Sequence, residues 1–176
     1  MVRRLFILAG GASKRFGAPK ARAVLEGRPL AGWVAESGLA ADLEPVLLVK
    51  DESLADLGWP LCVEPILTGH YPLRAMCFAL ACLGPGESAV FAPCDLPFVS
   101  PSTLRALADG PAPSVAWDGL QLQPLLCHLS FDQLPALQDW VDKQASARRF
   151  MAPAHRVRVA EGELRNINRP EDLVSV

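Results

Sequence analysis

Short apolar runs alternate with longer stretches of helical character along most of the chain. Four runs have the length and composition of buried strands, and they cover residues 5–9, 46–49, 61–63 and 88–92. Helices are predicted at residues 29–41, 73–83 and 101–109. The last of these has the clearest start, because Ser100 is a good N-cap and Pro101 suits the first helical position. Strands that alternate with helices predict a parallel sheet covered by helices on both faces.

The pattern changes in the second half of the chain. Two extended runs, residues 113–117 and 120–129, are joined by Asp118 and Gly119, a pair typical of a hairpin turn. We therefore expect an antiparallel element inside the otherwise parallel sheet. Further elements are predicted as helices at 131–144 (kinked near Pro135) and 145–151, a strand at 155–159 and a terminal helix from Pro170. The chain shows no repeat or linker, so we expect one domain over residues 1–176.

The first strand ends abruptly at Gly10 and Gly11, and a basic loop follows. Glycines let backbone N–H groups approach an anion closely, and cationic side chains add charge for phosphate oxygens. The cations are Lys14, Arg15 and Lys20, and no acidic residue lies between Gly10 and Lys20. We interpret this segment, which begins at Gly10 and Gly11 and is called the glycine loop below, as a phosphate-binding loop, with an ordinary strand-to-helix turn as the alternative. Its spacing matches neither a Walker A loop nor the dinucleotide-binding glycine motif.

Asp95 directly follows the fourth predicted strand, at the sheet edge where the glycine loop also lies. Because Mg²⁺ prefers carboxylate and phosphate oxygens, Asp95 is a candidate metal ligand across from a bound phosphate. Its alternative role is to accept hydrogen bonds from loop amides. Asn166 and Asn168 lie on one side of an extended segment whose Ile167 faces the core. These two amides suit ligand contacts, but turn chemistry before Pro170 explains them as well.

Composition excludes several classes of function. The formal charge of −2 over 176 residues gives no electrostatic basis for nucleic-acid binding. No apolar stretch approaches the roughly 20 residues that span a bilayer, so we expect a soluble protein with no membrane partner. The cysteine count of 5 is odd and includes no C-x-x-C, which indicates free thiols and a cytoplasmic location. A monomer or a weak oligomer is expected.

Other candidate residues carry weaker signals. The histidines His70, His128 and His155 lack metal-ligand spacing, and of these only His70 is placed near the expected site. Cys94 stands beside Asp95, but packing is its expected role because no base accompanies it. Four arginines near the end of the chain form either a solvated face, which we favour, or an anion contact. They are Arg148, Arg149, Arg156 and Arg158.

Residues 8–20, L-A-G-G-A-S-K-R-F-G-A-P-K, resemble the N-terminal signature of nucleotidyltransferases, in particular of the molybdenum cofactor guanylyltransferases. That family joins the guanylate part of GTP to molybdopterin and releases pyrophosphate. Three further motifs are similar to segments of the family. They are C-D-L-P-F around Asp95, the segment with Asp118, Gly119, Gln123 and Pro124, and the N-I-N-R-P-E-D-L ending with Asn166 and Asn168.

The resemblance implies a three-layer α/β/α, Rossmann-like (GT-A-like) nucleotidyltransferase fold with a mostly parallel sheet. It implies Mg²⁺ as cofactor, GTP or another NTP as one substrate, and a molybdopterin-type phosphate acceptor as the other. Lys20 and Asp95 would be catalytic, with Asp95 also holding the metal. The residues expected to bind nucleotide or acceptor are Leu8, Ala9, Gly10, Gly11, Lys14, Arg15, Lys20, Glu64, Asn166 and Asn168.

The sequence departs from the family pattern around base recognition. Pro19 stands where the family usually has Asp, and Lys50 stands near a base-reading Asn. Pro65 replaces an Asp that accepts hydrogen bonds from guanine, which leaves Glu64 as the available carboxylate. Residues 71–75 have lost both glycines of a family segment. A related cytidylyl- or sugar-nucleotide transferase, or a non-catalytic nucleotide- or cofactor-binding relative, therefore stays open beside the guanylyltransferase.

Overall fold

The structure is a computed structural model that describes residues 3–11, 17–65 and 71–173. The strands are β1 (Arg4–Leu8), β2 (Val24–Leu25), β3 (Arg28–Pro29), β4 (Glu44–Val49), β5 (Leu61–Val63), β6 (Ser88–Pro93), β7 (Ser114–Trp117), β8 (Leu122–Ser130) and β9 (His155–Arg158). The α-helices are α1 (Leu30–Ala40), α2 (Pro72–Ala81), α3 (Pro101–Asp109), α4 (Leu134–Asp142) and α5 (Ala147–Phe150). Short 3₁₀ turns cover Lys20–Arg22, Glu52–Leu57, Phe131–Gln133 and Pro170–Leu173.

Within the described ranges, seven strands form one mixed sheet in the order β5-β4-β1-β6-β8-β7-β9. The neighbours β5, β4, β1 and β6 run parallel. Strand β8 is antiparallel to both β6 and β7, and β9 is parallel to β7. The predicted hairpin of β7 and β8 is confirmed, with a bulge between Val115 and Ala116. Strands β2 and β3 pair separately as a small ribbon.

Helices cover both faces of this sheet, as the alternating pattern predicts. Leu5 and Ile7 of β1 point into an apolar cluster that includes residues of α1 and α3. Phe6, between them, points into a second cluster formed with α2 and α4, where its ring stacks on Phe91 at 5.5 Å. This period of two along a fully buried strand is what parallel sheets with two covered faces require. The predicted three-layer α/β/α architecture is confirmed.

Several predicted boundaries are wrong by a small amount. Helix α1 begins at Leu30, because Pro29 still pairs with Val24 in the ribbon. The predicted helix at 131–144 begins as a 3₁₀ turn, where the Gln133 side chain accepts a hydrogen bond from the Ser130 N–H at 2.7 Å. The predicted terminal helix is a 3₁₀ turn within the described residues. In the same ranges, no helix combines the length and the apolar character needed to cross a membrane.

The order of the strands positions the site. Along the chain, β1 is followed by β4 on one side, whereas β6, which comes later, pairs with the other side of β1. The connections therefore leave β1 in opposite directions at its carboxyl end. In open α/β sheets, this change of direction opens a crevice in which ligands bind. Gly10, Gly11 and Asp95 all lie at this edge, because they follow the carboxyl ends of β1 and β6.

Candidate functional site

A cavity of about 420 Å³ lies between the glycine loop and the segment that follows β4. Its lining consists of Ala9, Gly10, Gly11, Gly17, Ala18, Pro19, Val49, Lys50, Asp51, Ser53 and Leu54. Arg22 ties its two walls together by a bidentate pair with Asp56 in the 3₁₀ turn after β4. Glycine-rich backbone on one side and polar side chains on the other make this cavity suitable for an anionic, hydrogen-bonding ligand.

Gly10 lies tightly against the end of β4. A Cβ atom at this position would be 3.2 Å from Cγ of Lys50 and 3.4 Å from its backbone nitrogen. The preceding Ala9 N–H donates to the carbonyl of Leu48 at 3.0 Å, which extends the β1–β4 ladder to this point. At Gly11, by contrast, an added Cβ would meet no protein atom within 4 Å. The first glycine is therefore needed for packing, and the second faces open space at the cavity.

Lys20, Asp95 and Asn168 meet beside the glycine loop. The Lys20 ammonium donates to Oδ2 of Asp95 at 2.7 Å and to Oδ1 of Asn168 at 3.0 Å. The Lys20 and Asp95 side chains are 16% and 22% exposed, so the ion pair is partly shielded from water. The structure thus brings together one cation and two oxygen acceptors predicted from separate parts of the sequence.

Backbone contacts explain why these residues meet. The Cys94 N–H donates to the Leu8 carbonyl at 3.3 Å, which places Asp95 next to the start of the glycine loop. The buried Ile167 donates its N–H to the Asp95 carbonyl at 3.0 Å, and this bond holds the asparagine segment against the loop after β6. Asn168 follows at once and turns toward Lys20. Asn166 makes no hydrogen bond to Lys20 or Asp95 among the described residues.

Asp95 retains an unused acceptor. Its Oδ1 atom is buried and has no hydrogen-bond partner within the described chain. A buried acceptor without a partner costs free energy, so an external donor or cation is favoured at this atom. Among the described residues, no group of three or more His, Cys, Asp or Glu side chains is placed so that it could hold a metal ion. A divalent cation at Asp95 would therefore depend on ligand oxygens to complete its coordination, which fits Mg²⁺ or Mn²⁺ bound together with phosphate.

A second ion pair includes Lys50, which lines the cavity. Lys50 and Glu64 follow β4 and β5, and their Nζ and Oε2 atoms are 2.7 Å apart. Glu64 is only 2% exposed, and its Oε1 atom is buried without a partner among the described residues. Sequence reasoning treated each residue separately and missed the pair. The signal was present, because residues that directly follow two neighbouring parallel strands lie at one edge.

Three other residues singled out from the sequence, Lys14, Arg15 and His70, lie outside the described residues. Asp118 accepts hydrogen bonds from the N–H groups of Leu120 and Gln121, at 2.8 and 2.9 Å, so its carboxylate caps the hairpin turn. This is the hairpin-turn role that the Asp118–Gly119 pair predicts.

Burial shifts the pKa values of two titratable groups near the sheet toward their neutral forms. Burial raises the pKa of the Cys94 thiol to about 12, so this sulfur stays protonated and serves packing. His128 lies in β8 and is 5% exposed, and burial lowers the pKa of its imidazole.

Arg156 and Arg158 are exposed and lie 5.6 and 5.5 Å from the Trp117 ring. This supports the solvated-face interpretation of the arginines.

Comparison with known proteins agrees with this geometry. Residues 5–159 match the model of the MobA-like NTP transferase domain. The chain belongs to the MobA-like NTP transferase family. It is thus a nucleotidyltransferase, and the domain implies an NTP as substrate. Asp95 and the glycine loop lie inside the matched range, and the Asn166–Asn168 segment lies just beyond it.

Two curated relatives are named probable molybdenum cofactor guanylyltransferase. The one from Deinococcus radiodurans is 31% identical over 181 residues, which cover 97% of this chain and 91% of that protein. The one from Bacillus licheniformis is 37% identical over 107 residues, and the match spans about half of it, 52% of its length. The longer match therefore carries the likeness through the asparagine segment.

Solved structures show the same MobA-like fold. Molybdopterin-guanine dinucleotide biosynthesis protein A from Archaeoglobus fulgidus superposes with a TM-score of 0.72 at 23% identity, covering 97% of this chain and 95% of that one. A Mycobacterium tuberculosis protein crystallised in complex with manganese has a TM-score of 0.70 at 19% identity, and the match covers 100% of both chains. At these identities the likeness describes the fold alone.

Proposed function

We propose that this MobA-like protein transfers GMP from GTP to a molybdopterin-type phosphate acceptor in the cytoplasm, with release of pyrophosphate. The observation that carries the proposal is the meeting of Lys20, Asp95 and Asn168 beside the glycine loop, with distances of 2.7 and 3.0 Å from the lysine nitrogen. A metal-bound triphosphate needs a cation, a carboxylate with an unused oxygen and a glycine-containing loop whose backbone it can approach closely. The two curated relatives support the choice of GTP and of the acceptor.

In this proposal the protein acts by positioning and charge. Gly10 and Gly11 bring backbone close to the phosphates, and Lys20 moves from Asp95 to the triphosphate when the nucleotide enters. An oxygen of the acceptor phosphate attacks the α-phosphorus in line and forms a new P–O bond. The bond between the α-phosphorus and the bridging oxygen breaks, and pyrophosphate leaves with both electrons. Such reactions need little covalent chemistry from the protein.

We further propose that Asp95 holds Mg²⁺, with Asn168 beside it and Asn166 at the acceptor side. The buried Oδ1 atom of Asp95 supports this role, because it is an oxygen ligand without another partner in the described part of the chain. A divalent cation in this place supplies positive charge to the phosphate oxygens of the substrate and of the leaving pyrophosphate.

Pyrophosphate release, measured with molybdopterin and each of the four NTPs in the presence of Mg²⁺, tests the proposal. We expect release with GTP that depends on both the acceptor and the metal. Release with CTP instead would assign the chain to the cytidylyltransferases. Absence of release, together with absence of GTP binding in calorimetry, would support a non-catalytic relative.

A further inference from the structure

Two cysteines lie together on the face of the sheet that α2 covers. Cys62 is the middle residue of β5 and packs against the apolar cluster of α2, and Cys82 is the C-cap of that helix. Both line a second cavity, of about 550 Å³, near the β5 edge of the sheet. Among the described residues, this cavity shares no lining residue with the cavity at the glycine loop. The cysteine pair is therefore separate from the proposed transferase site.

The two thiols differ in exposure and interact with each other. Cys82 is exposed, and its thiol donates to the Phe78 carbonyl at 3.4 Å, which holds the sulfur against the last turn of α2. Cys62 is half-buried. Burial, and after it the neighbouring Cys82 thiol, raises the pKa of the Cys62 thiol to about 11. At neutral pH, Cys62 is therefore protonated, and Cys82 is the thiol that a reagent in solution meets first.

The other three cysteines, all within the described residues, are in different surroundings. Cys77, Cys94 and Cys127 are buried. The Cys77 thiol donates to Oε1 of Gln138 at 3.1 Å, and burial raises the pKa of both Cys94 and Cys127. These three thiols therefore serve packing, whereas the remaining two combine access from solvent with a nearby second sulfur.

We propose that Cys62 and Cys82 form a thiol–disulfide exchange site, which reacts with small-molecule disulfides and closes into a disulfide between β5 and the end of α2. The Cys82 thiolate attacks one sulfur of the small disulfide and forms a mixed disulfide, and one small thiol leaves. Cys62 then loses its proton to water, attacks the Cys82 sulfur and expels the second small thiol. Two protein thiols are oxidised, and one small disulfide is reduced to two thiols.

The closed form would join two elements that the fold otherwise holds by packing. Strand β5 lies at one end of the sheet and, within the described ranges, pairs with β4 alone. A covalent bond from Cys62 to Cys82 ties this short edge strand to α2. In a reducing compartment the pair stays as thiols, and it closes when the surrounding disulfide concentration rises, so the modification is reversible.

Incubation of the folded, unmodified protein with oxidised glutathione, followed by intact-mass measurement and peptide mapping, tests this assignment. We expect the protein to lose two free thiols, to retain no glutathione and to give a cross-linked peptide that joins Cys62 to Cys82. Dithiothreitol should restore both thiols. A glutathione adduct that persists on Cys82 of the unmodified protein, or a cross-link between other cysteines, would overturn the inference.

Single substitutions separate the two roles. Cys62→Ser removes the second nucleophile, so this variant should retain one glutathione on Cys82. Cys82→Ser leaves only the half-buried, protonated thiol, so its reaction should be about tenfold slower or more. Cys77→Ser is the matched control, because serine keeps a donor toward Gln138, and it should close at the unmodified rate. A Cys82→Ser variant that reacts as fast as the unmodified protein would contradict the proposed order of attack.

A second probe tests the spacing of the sulfurs without relying on any variant. Phenylarsine oxide bridges two neighbouring thiols through its arsenic atom and releases water. We expect the unmodified protein to bind one equivalent, to lose two titratable thiols and to keep the arsenical when a monothiol competes. Failure to bridge Cys62 and Cys82 would show that the sulfurs are too far apart for a disulfide and would overturn the inference. Circular dichroism establishes that the protein and its serine variants are folded.

Discussion

Replacing Lys20 by alanine separates a role in transfer from a role in stability. The lysine nitrogen lies 2.7 Å from Asp95, in a pair whose side chains are 16% and 22% exposed. At the effective dielectric constant of about 20 that suits such partly exposed sites, two unit charges about 4 Å apart interact by about 4 kcal/mol. If Lys20 supplies that charge to the transition state, its loss reduces the rate of transfer about 10³-fold.

The expected effect on folding is much smaller. Water reaches both partners, so the pair contributes about 1 kcal/mol or less to the free energy of unfolding. For a chain of this size, that corresponds to a change of about 2–4 °C in the melting temperature. Alanine at position 20 therefore leaves a folded protein with little activity, whereas a purely structural lysine would change stability and activity to similar small extents.

The assay is pyrophosphate release at saturating GTP, acceptor and Mg²⁺, with the melting temperature measured on the same samples. Lys143→Ala is the matched control, because Lys143 pairs with Asp139 at 2.6 Å on the exposed surface of α4. We expect the control to keep its full rate. A Lys20→Ala variant that keeps more than about a tenth of the normal rate would refute the reasoning, because the charge would then be unnecessary for transfer.

Three further predictions concern other parts of the molecule. Gly38→Ala in α1 places a Cβ 2.4 Å from the Leu5 side chain, so it should lower the free energy of unfolding by about 1–3 kcal/mol in urea titrations. Gly32→Ala is the control in the same helix and should not lower it, because its Cβ would approach the Arg28 side chain no closer than 3.3 Å and the Pro29 ring no closer than 3.8 Å. Burial lowers the pKa of His128 below its ordinary 6.5. The stability that the neutral imidazole contributes is therefore present above pH 6.5 and is lost as the pH falls below that value. Thermal melts between about pH 7.5 and 5 should show this loss, and His128→Leu should reduce it. Asp95→Asn should weaken Mn²⁺ binding in the presence of GTP about tenfold or more in calorimetry while the fold persists; unchanged metal affinity would remove Asp95 from the metal site.

Local patterns were enough to predict most of the fold. A fully apolar run such as β1, with Leu5, Phe6 and Ile7 all buried, is favourable only inside a sheet covered on both faces. The start of α3 at Pro101 was equally predictable from the sequence, because Ser100 caps the helix locally. Its hydroxyl oxygen accepts a hydrogen bond from the Thr103 N–H at 3.1 Å. Less certain were the ends where local preferences compete with pairing. Pro29 suits a helix start, yet it pairs with Val24 in the ribbon instead.

The sequence alone also determined which residues stand at the functional edge. In a parallel sheet, residues that directly follow strands lie together, and this rule is sufficient to place Gly10 and Asp95 at the same end of the sheet. Only the tertiary structure decided which of these residues touch. Lys20 is 75 residues from Asp95 and 148 from Asn168, and Lys50 meets Glu64 only because β4 and β5 pair in one particular register. Contacts of this kind depend on the packing of the whole chain, because no local pattern records the strand order or the direction in which a long side chain finally turns.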